Sequence, residues 1–118
     1  MSTFRRVAPL LLLTAALWAG VQLLQVLRQE QRWREVAQAA VPGDIVMLSS
    51  QTCPYCEQAR LQLGERRVPF RECFIERDAD CAAAYQAALA PGTPTFIVRG
   101  RRIVGFDLER LAQALSRG

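Results

Sequence analysis

Cys53-Pro54-Tyr55-Cys56 is the segment that most restricts what this chain can fold into. Two thiols stand two residues apart, with a proline directly after the first. The apolar run Ile45-Val46-Met47-Leu48 precedes them and a helix-permissive run, Glu57 to Arg66, follows. Pro54 suits the first position of a helix, where a missing N–H is not needed. Cys53 then falls at or near the N-cap, facing unpaired backbone N–H groups and the positive end of the helix dipole. That field favours thiolate over thiol, and the thiolate is the nucleophile. Cys56 lies three residues on, on the same helical face, where it can close a disulfide with Cys53 and release a mixed-disulfide partner.

The rest of the chain must supply a frame for that pair. At 118 residues there is room for one small domain and an extra segment. The net charge is +4 and the chain contains no histidine, which removes the usual general base and the commonest metal ligand. The basic residues are all arginines, scattered among acids rather than gathered in an aromatic-laced patch. This distribution argues against nucleic-acid binding.

Apolar residues concentrate at the start. Arg5 and Arg6 precede Val7–Leu27, a stretch without formal charge that is long enough to cross a hydrocarbon core of roughly 30 Å as a helix. Two readings fit residues 1–27. One is a cleaved secretory signal, for which Thr14-Ala15-Ala16 is a passable cleavage site after a short apolar core. The other is an uncleaved signal-anchor, favoured because Leu17 and Trp18 are too large for the small positions near Gly20. Arginines flank both ends, Arg5 and Arg6 before and Arg28, Arg32 and Arg34 after, so their count does not set the orientation. A short tail before a start-of-chain apolar segment resembles a signal-anchor. That predicts attachment to a bacterial cytoplasmic membrane, with the following domain outside the cytoplasm, in the periplasm where there is one.

Residues 28–43 read as a helical connector, with Trp33, Val36, Ala37 and Ala40 at helical spacing. It either continues the membrane helix or lies on the domain, and Pro42-Gly43 ends it. Within 44–118, Ile45–Ser49 reads as a buried strand and Pro54–Arg66 as a helix with Ala59 and Leu63 inward. Val68–Ile75 reads as a second strand. Asp78 or Asp80 can cap a helix running to Ala90. Pro94–Val98 and Arg101–Val104 form a hairpin about Arg99-Gly100. Asp107 can cap a last helix, Leu108–Ser116, with Leu108, Leu111, Ala112 and Leu115 on one face. The order β-α-β-α-β-β-α predicts an α/β fold, and the closing hairpin makes its four-stranded sheet mixed.

Residues 44–116 resemble a glutaredoxin, within the thioredoxin fold. The resemblance rests on Cys53-Pro54-Tyr55-Cys56 after the first strand, on Thr93-Pro94-Thr95-Phe96, and on Gly105-Phe106-Asp107 before the last helix. It implies a thiol–disulfide oxidoreductase in which Cys53 attacks and Cys56 resolves. It also implies a cis bond before Pro94, with the Thr93 backbone offered to an extended substrate and Tyr55 either walling the groove or standing as a surface aromatic. The Gly105-Phe106-Asp107 turn would hold the γ-glutamyl end of glutathione, or else Asp107 is only an N-cap. No bound cofactor is implied; glutathione enters as a possible co-substrate beside disulfide-containing proteins.

Several residues depart from the family pattern. Ser50 stands where many glutaredoxins have a lysine, and Glu57 where many have a basic residue. Glu57 lies one turn after Cys53, where a negative charge opposes the thiolate. The expectation is a less acidic Cys53 and weaker glutathione binding. Cys73 and Cys81 form a second pair that ordinary glutaredoxins do not need. They read as a structural disulfide, as two unpaired thiols, or as a relay that exchanges with the first pair. A four-cysteine zinc or iron–sulfur site fits poorly, because the second pair is spaced C-x7-C and no histidine can substitute. Beside the enzyme stands a non-catalytic reading, a thioredoxin-fold module that docks a partner or a metal.

Overall fold

A computed structural model describes residues 2–117. The elements are α1 (Ser2–Ala39), β1 (Ile45–Ser49), α2 (Pro54–Glu65), β2 (Arg71–Phe74), α3 (Ala79–Ala87), β3 (Thr95–Val98), β4 (Arg101–Val104) and α4 (Leu108–Ser116). The chain divides into two compact units, with the boundary between Gln31 and Arg32.

The first unit is the N-terminal part of α1. It is long and apolar enough to cross a membrane, with a mean hydropathy of 2.0 over its most apolar window. None of that window is buried. Leu10 to Leu13, Leu17 and Trp18 all present their side chains outward. Leaving so much apolar surface in water is unfavourable, and a bilayer relieves that cost.

The second unit is a four-stranded sheet of order β2-β1-β3-β4. β1 pairs parallel with β2, and β3 is antiparallel to both β1 and β4. Alternation along β1 divides the core between two faces. Ile45 and Met47 join Phe96, Val98, Ala59, Leu63, Leu111 and Leu115 in the larger cluster. Leu48 faces the other way, into a smaller cluster with Cys73 and Cys81 beneath α3. The last turns of α1 and the residue after it belong to the larger core: Trp33, Val36 and Ala40 are buried there. The helical spacing in this stretch therefore reports packing on the domain as well as continuation of α1.

Arg99 secures the junction between these elements. Its guanidinium reaches the Leu115 carbonyl at 2.6 Å, the Ala39 carbonyl at 3.2 Å and the Asp44 carboxylate at 3.1 Å. Asp44 also accepts the Val41 N–H at 3.0 Å. That bond first, and Arg99 second, hold its carboxyl below the ordinary aspartate value.

Two elements are shorter than their apolar runs predict. β2 was expected over Val68–Ile75 and begins at Arg71. Val68 N–H instead bonds the Leu63 carbonyl at the end of α2 (3.0 Å), Arg67 adopts a φ of 56° and Pro69 has no N–H to offer a ladder. α3 stops at Ala87 rather than Ala90. Leu89 turns left-handed at φ 53°, and Ala90 precedes a proline, which disfavours a helical backbone there. Arg102 on β4 donates to the freed Ala88 and Leu89 carbonyls at 3.2 and 2.9 Å. Of the two acids that could cap α3, Asp78 does so, accepting the Asp80 N–H at 2.8 Å.

Candidate active site

The loop after β1 sets Cys53 as the N-cap of α2, with an extended backbone (φ −103°, ψ 108°) and Pro54 in the first turn. Cys53 Sγ accepts the Cys56 N–H at 3.2 Å. It lies 3.4 Å from the Thr93 carbonyl oxygen, within reach for a thiol to donate to it. Cys53 is half-buried rather than openly exposed, because the loop carrying Thr93 approaches it; Cys56 is fully buried. Their sulfurs stand near disulfide distance, with a Cα–Cα separation of 5.2 Å. Cys53 thus stands at the first turn of a helix, where N–H groups without intrahelical partners favour an anion.

A groove of about 290 Å³ opens beside the pair. The sequence-nominated residues Tyr55, Thr93, Pro94, Gly105 and Phe106 line it. The Thr93–Pro94 bond is cis. Gly105, at a φ of 75°, donates its N–H to the Pro94 carbonyl at 2.9 Å, which ties the two turns together. Few side chains tolerate that backbone, which accounts for glycine there. Phe106 forms the floor, stacked on Trp33 with ring centroids 5.9 Å apart and tilted against Phe96 at 6.0 Å. Tyr55 is 71% exposed and yet lines the groove, so the wall and the surface aromatic are one residue.

Asp107 is not brought into that lining. It caps α4, accepting the Arg110 N–H at 3.2 Å, and its other oxygen lies 3.7 Å from the Arg110 guanidinium. Cys73 and Cys81 are on the opposite face of the sheet, joined as a second disulfide with a Cα–Cα separation of 5.4 Å.

Glu57 shares a second cleft, of about 230 Å³, with Gln51, Thr52, Cys53, Pro54 and Arg60. Arg60 holds Glu72 by two contacts of 2.5 and 2.7 Å, and Glu72 also accepts from Ser49 Oγ at 2.8 Å. Glu72 chiefly, with a smaller contribution from Glu57, raises the affinity of Arg60 for its proton further. Arg60 is thus already paired with Glu72, and the cleft keeps the negative charge of Glu57. Glu76 anchors the loop before Cys53, receiving Ser50 Oγ–H and the Gln51 N–H (3.3 Å for the latter). The Ser50 bond is the main reason its carboxyl titrates below the ordinary glutamate value.

Sequence reasoning missed Gln58, Ala59 and Gln62, which complete the groove lining from α2. Helical spacing from Tyr55 was the available signal, since residues three to four apart share a face. The Arg60–Glu72–Ser49 contact and the Glu76 anchor had no such signal, because they cross between elements distant in sequence. Among the described residues no group of three or more potential ligands gathers for a metal ion.

A family model described as Glutaredoxin matches residues 45–103. The chain belongs to the glutaredoxin family. Its sheet, its helix-capping cysteine and its Thr93–Pro94 turn are thus a glutaredoxin frame, and that family's general activity is thiol–disulfide exchange. No curated relative matches the sequence. Among solved structures, the thioredoxin-like protein BC3987 is 25% identical with a TM-score of 0.53, covering 59% of this chain and 97% of that one. Wheat glutaredoxin is 16% identical with a TM-score of 0.50, covering 73% and 92%. A mutated buckwheat glutaredoxin is 16% identical with a TM-score of 0.51, covering 75% and 91%. The two plant proteins are similar in fold.

Proposed function

We propose that Cys53 and Cys56 are the redox-active dithiol of a membrane-tethered oxidoreductase that exchanges disulfides with proteins outside the cytoplasm. The observation that carries this reading is the placement of Cys53 Sγ. It caps α2, accepts the Cys56 N–H and stands beside Thr93, which lines a groove. In the reducing direction, the Cys53 thiolate attacks one sulfur of a substrate disulfide. A mixed disulfide forms, and the second substrate sulfur leaves as a thiolate and takes up a proton. Cys56, deprotonated, then attacks Cys53 Sγ. The substrate's remaining thiolate is released and protonated, and Cys53–Cys56 is left oxidised by two electrons. Turnover requires a thiol or dithiol donor to reduce the pair again. In the oxidising direction every step reverses, and a disulfide acceptor restores the pair. Glutathione serves as either co-substrate or substrate in this scheme.

The apolar stretch of α1 supports the tether. Arginines on both of its flanks leave the outward orientation resting on the signal-anchor pattern. The cysteine chemistry is tested by hydroxyethyl disulfide turnover and insulin reduction: both activities should fall to background in Cys53→Ser. Equal activity in that variant overturns the assignment, and inactivity of the wild type with both substrates favours a non-catalytic docking module. Topology is tested separately. An alkaline phosphatase fusion after Trp33 is expected to be active; a silent fusion with an active cytoplasmic reporter at the same point reverses the placement.

A further inference from the structure

We infer that Glu76 is a positioning residue for Cys53: the loop between β2 and α3 clamps Ser50-Gln51-Thr52 and so keeps the nucleophile at the N-cap of α2. The inference rests on the exchange reading of Cys53–Cys56 and adds what holds that site in register. Glu76 accepts the Ser50 Oγ–H with one carboxylate oxygen and the Gln51 N–H with the other, the latter at 3.3 Å. Ser50 Oγ also receives the Thr52 N–H at 3.5 Å, and the Ser50 carbonyl receives the Cys53 N–H at 3.3 Å. One serine thus links the carboxylate to the backbone of the nucleophile. Two further contacts join the same loops. Ile75 donates its N–H to the Ser49 carbonyl at 3.0 Å. With its amide oxygen turned toward donors, Gln51 accepts from the Arg77 guanidinium at 3.1 Å. The loop that reaches across is itself tied near both ends, at Cys73 and Cys81, by the second disulfide.

Stabilisation of a thiolate at an N-cap depends on where the sulfur sits relative to the N–H groups of the first turn. Cys53 Sγ meets one of them, the Cys56 N–H, at 3.2 Å. Released from the clamp, the segment before Cys53 can carry the sulfur away from that donor. Glu76 therefore acts on the thiolate in two opposed ways. Its charge, like that of Glu57, disfavours a second anion nearby. Its hydrogen bonds favour the thiolate by holding the loop. The nearby cations are engaged elsewhere: Arg60 by Glu72, and Arg77 by Gln51 and by the Phe74 ring, whose centroid is 4.7 Å away. The Ser50 bond also holds the Glu76 carboxyl below its ordinary range, so the clamp is ionised at neutral pH. Water screens the charge of an exposed side chain, whereas the hydrogen bonds act directly on the loop, and the positioning effect is the larger.

The test uses the full chain in detergent micelles, with the first pair reduced and the second intact. Alkylation of Cys53 by iodoacetamide is followed across pH, and reaction with hydroxyethyl disulfide is timed in single turnovers at pH 7. In Glu76→Ala the alkylation profile should move to higher pH. The disulfide reaction should slow about two- to fivefold, the range of one solvent-accessible anchor. Glu76→Gln keeps an acceptor oxygen and should shift the profile less. Ser50→Ala cuts the same link from the other side, and should move the profile the same way even where Glu76→Ala fails to fold. Combining the two changes should add little to either alone, since both break one contact. A profile that moves to lower pH in Glu76→Ala makes Glu76 a charge and nothing more, and overturns the inference. An unchanged profile in both single variants overturns it too, as do fully additive effects. Wild-type Cys53 that alkylates but leaves hydroxyethyl disulfide untouched overturns the exchange reading beneath, and the alkylation profiles still judge the clamp.

Discussion

The two cysteine pairs have similar Cα–Cα separations and opposite surroundings. Cys53–Cys56 spans one turn at a helix start, with Cys53 half-buried and Cys56 fully buried. Cys73–Cys81 joins strand to helix across eight positions and both residues are 3% exposed. A backbone N–H and a neighbouring carbonyl meet the first; Leu48 and the apolar side chains under α3 surround the second. Thiol exchange needs an accessible sulfur, and only the first pair has a cysteine that is not buried. The second pair substitutes for core. Cys81 is the one buried residue of α3 among those described, so the disulfide fastens a helix that has little else to bury. The difference argues against a relay between the pairs, which also lie on opposite faces of the sheet.

The largest test of this contrast is to remove the second pair. Cys73→Ala with Cys81→Ala should lower stability by about 2–3 kcal/mol on the chain-entropy account of a short loop. For a unit of this size that is a fall in Tm of roughly 10 °C or more. Hydroxyethyl disulfide turnover at 15 °C should survive. If turnover vanishes while the fold persists, the pairs are coupled and the structural role fails.

β2 links the two regions, because successive side chains point to opposite faces. Cys73 faces α3 while its neighbour Glu72 holds Arg60 on the helix that carries Cys53. Glu72→Gln should cost about 1–2 kcal/mol, discounted because Arg60 is partly solvated. The loss should appear in chemical denaturation with both disulfides still intact by mass. An unchanged midpoint would show that the contact contributes nothing measurable.

Smaller effects are expected beside Cys53. In Glu57→Gln the thiolate absorbance of Cys53 should appear at lower pH, since a negative charge in the cleft beside it is removed. An unchanged or raised value contradicts that electrostatic account. The least effect is expected at Glu76. Its carboxyl is depressed in the folded state, so its contribution is present above the ordinary value of 4.5 and is lost as pH falls through the lower folded value. The Tm difference between wild type and Glu76→Gln should therefore hold at neutral pH and close below about pH 4.5. A difference independent of pH would assign the anchor to packing.

Most of the frame is legible in the order of residues alone. Period-two and helical patterns locate every strand and helix of the second unit, and Gly105 and Pro94 mark turns that only a few residue types can make. The misjudged ends, Val68–Phe70 and Ala88–Ala90, lie where an apolar run continues while the backbone is already committed to a helix terminus. Apolar character reports burial, and a buried residue need not belong to a strand: Val68 is 3% exposed outside β2. At the site, the family resemblance nominates Tyr55, Thr93, Pro94, Gly105 and Phe106. It does not reach Gln58 and Gln62, because glutamine on a helix surface ordinarily means only solvent.

The sequence by itself determined a dithiol at a helix start, an alternating α/β frame and an apolar leader. Those depend on neighbours within one or two turns, where spacing dictates which side chains meet. Tertiary structure alone decided which charges meet and what encloses the thiol. Arg60 reaches Glu72, Glu76 reaches Ser50, and Trp33 from the end of α1 stacks beneath the groove floor. Each of these contacts joins residues that are distant in the chain, and only the closing of the sheet and its helices brings them within bonding range.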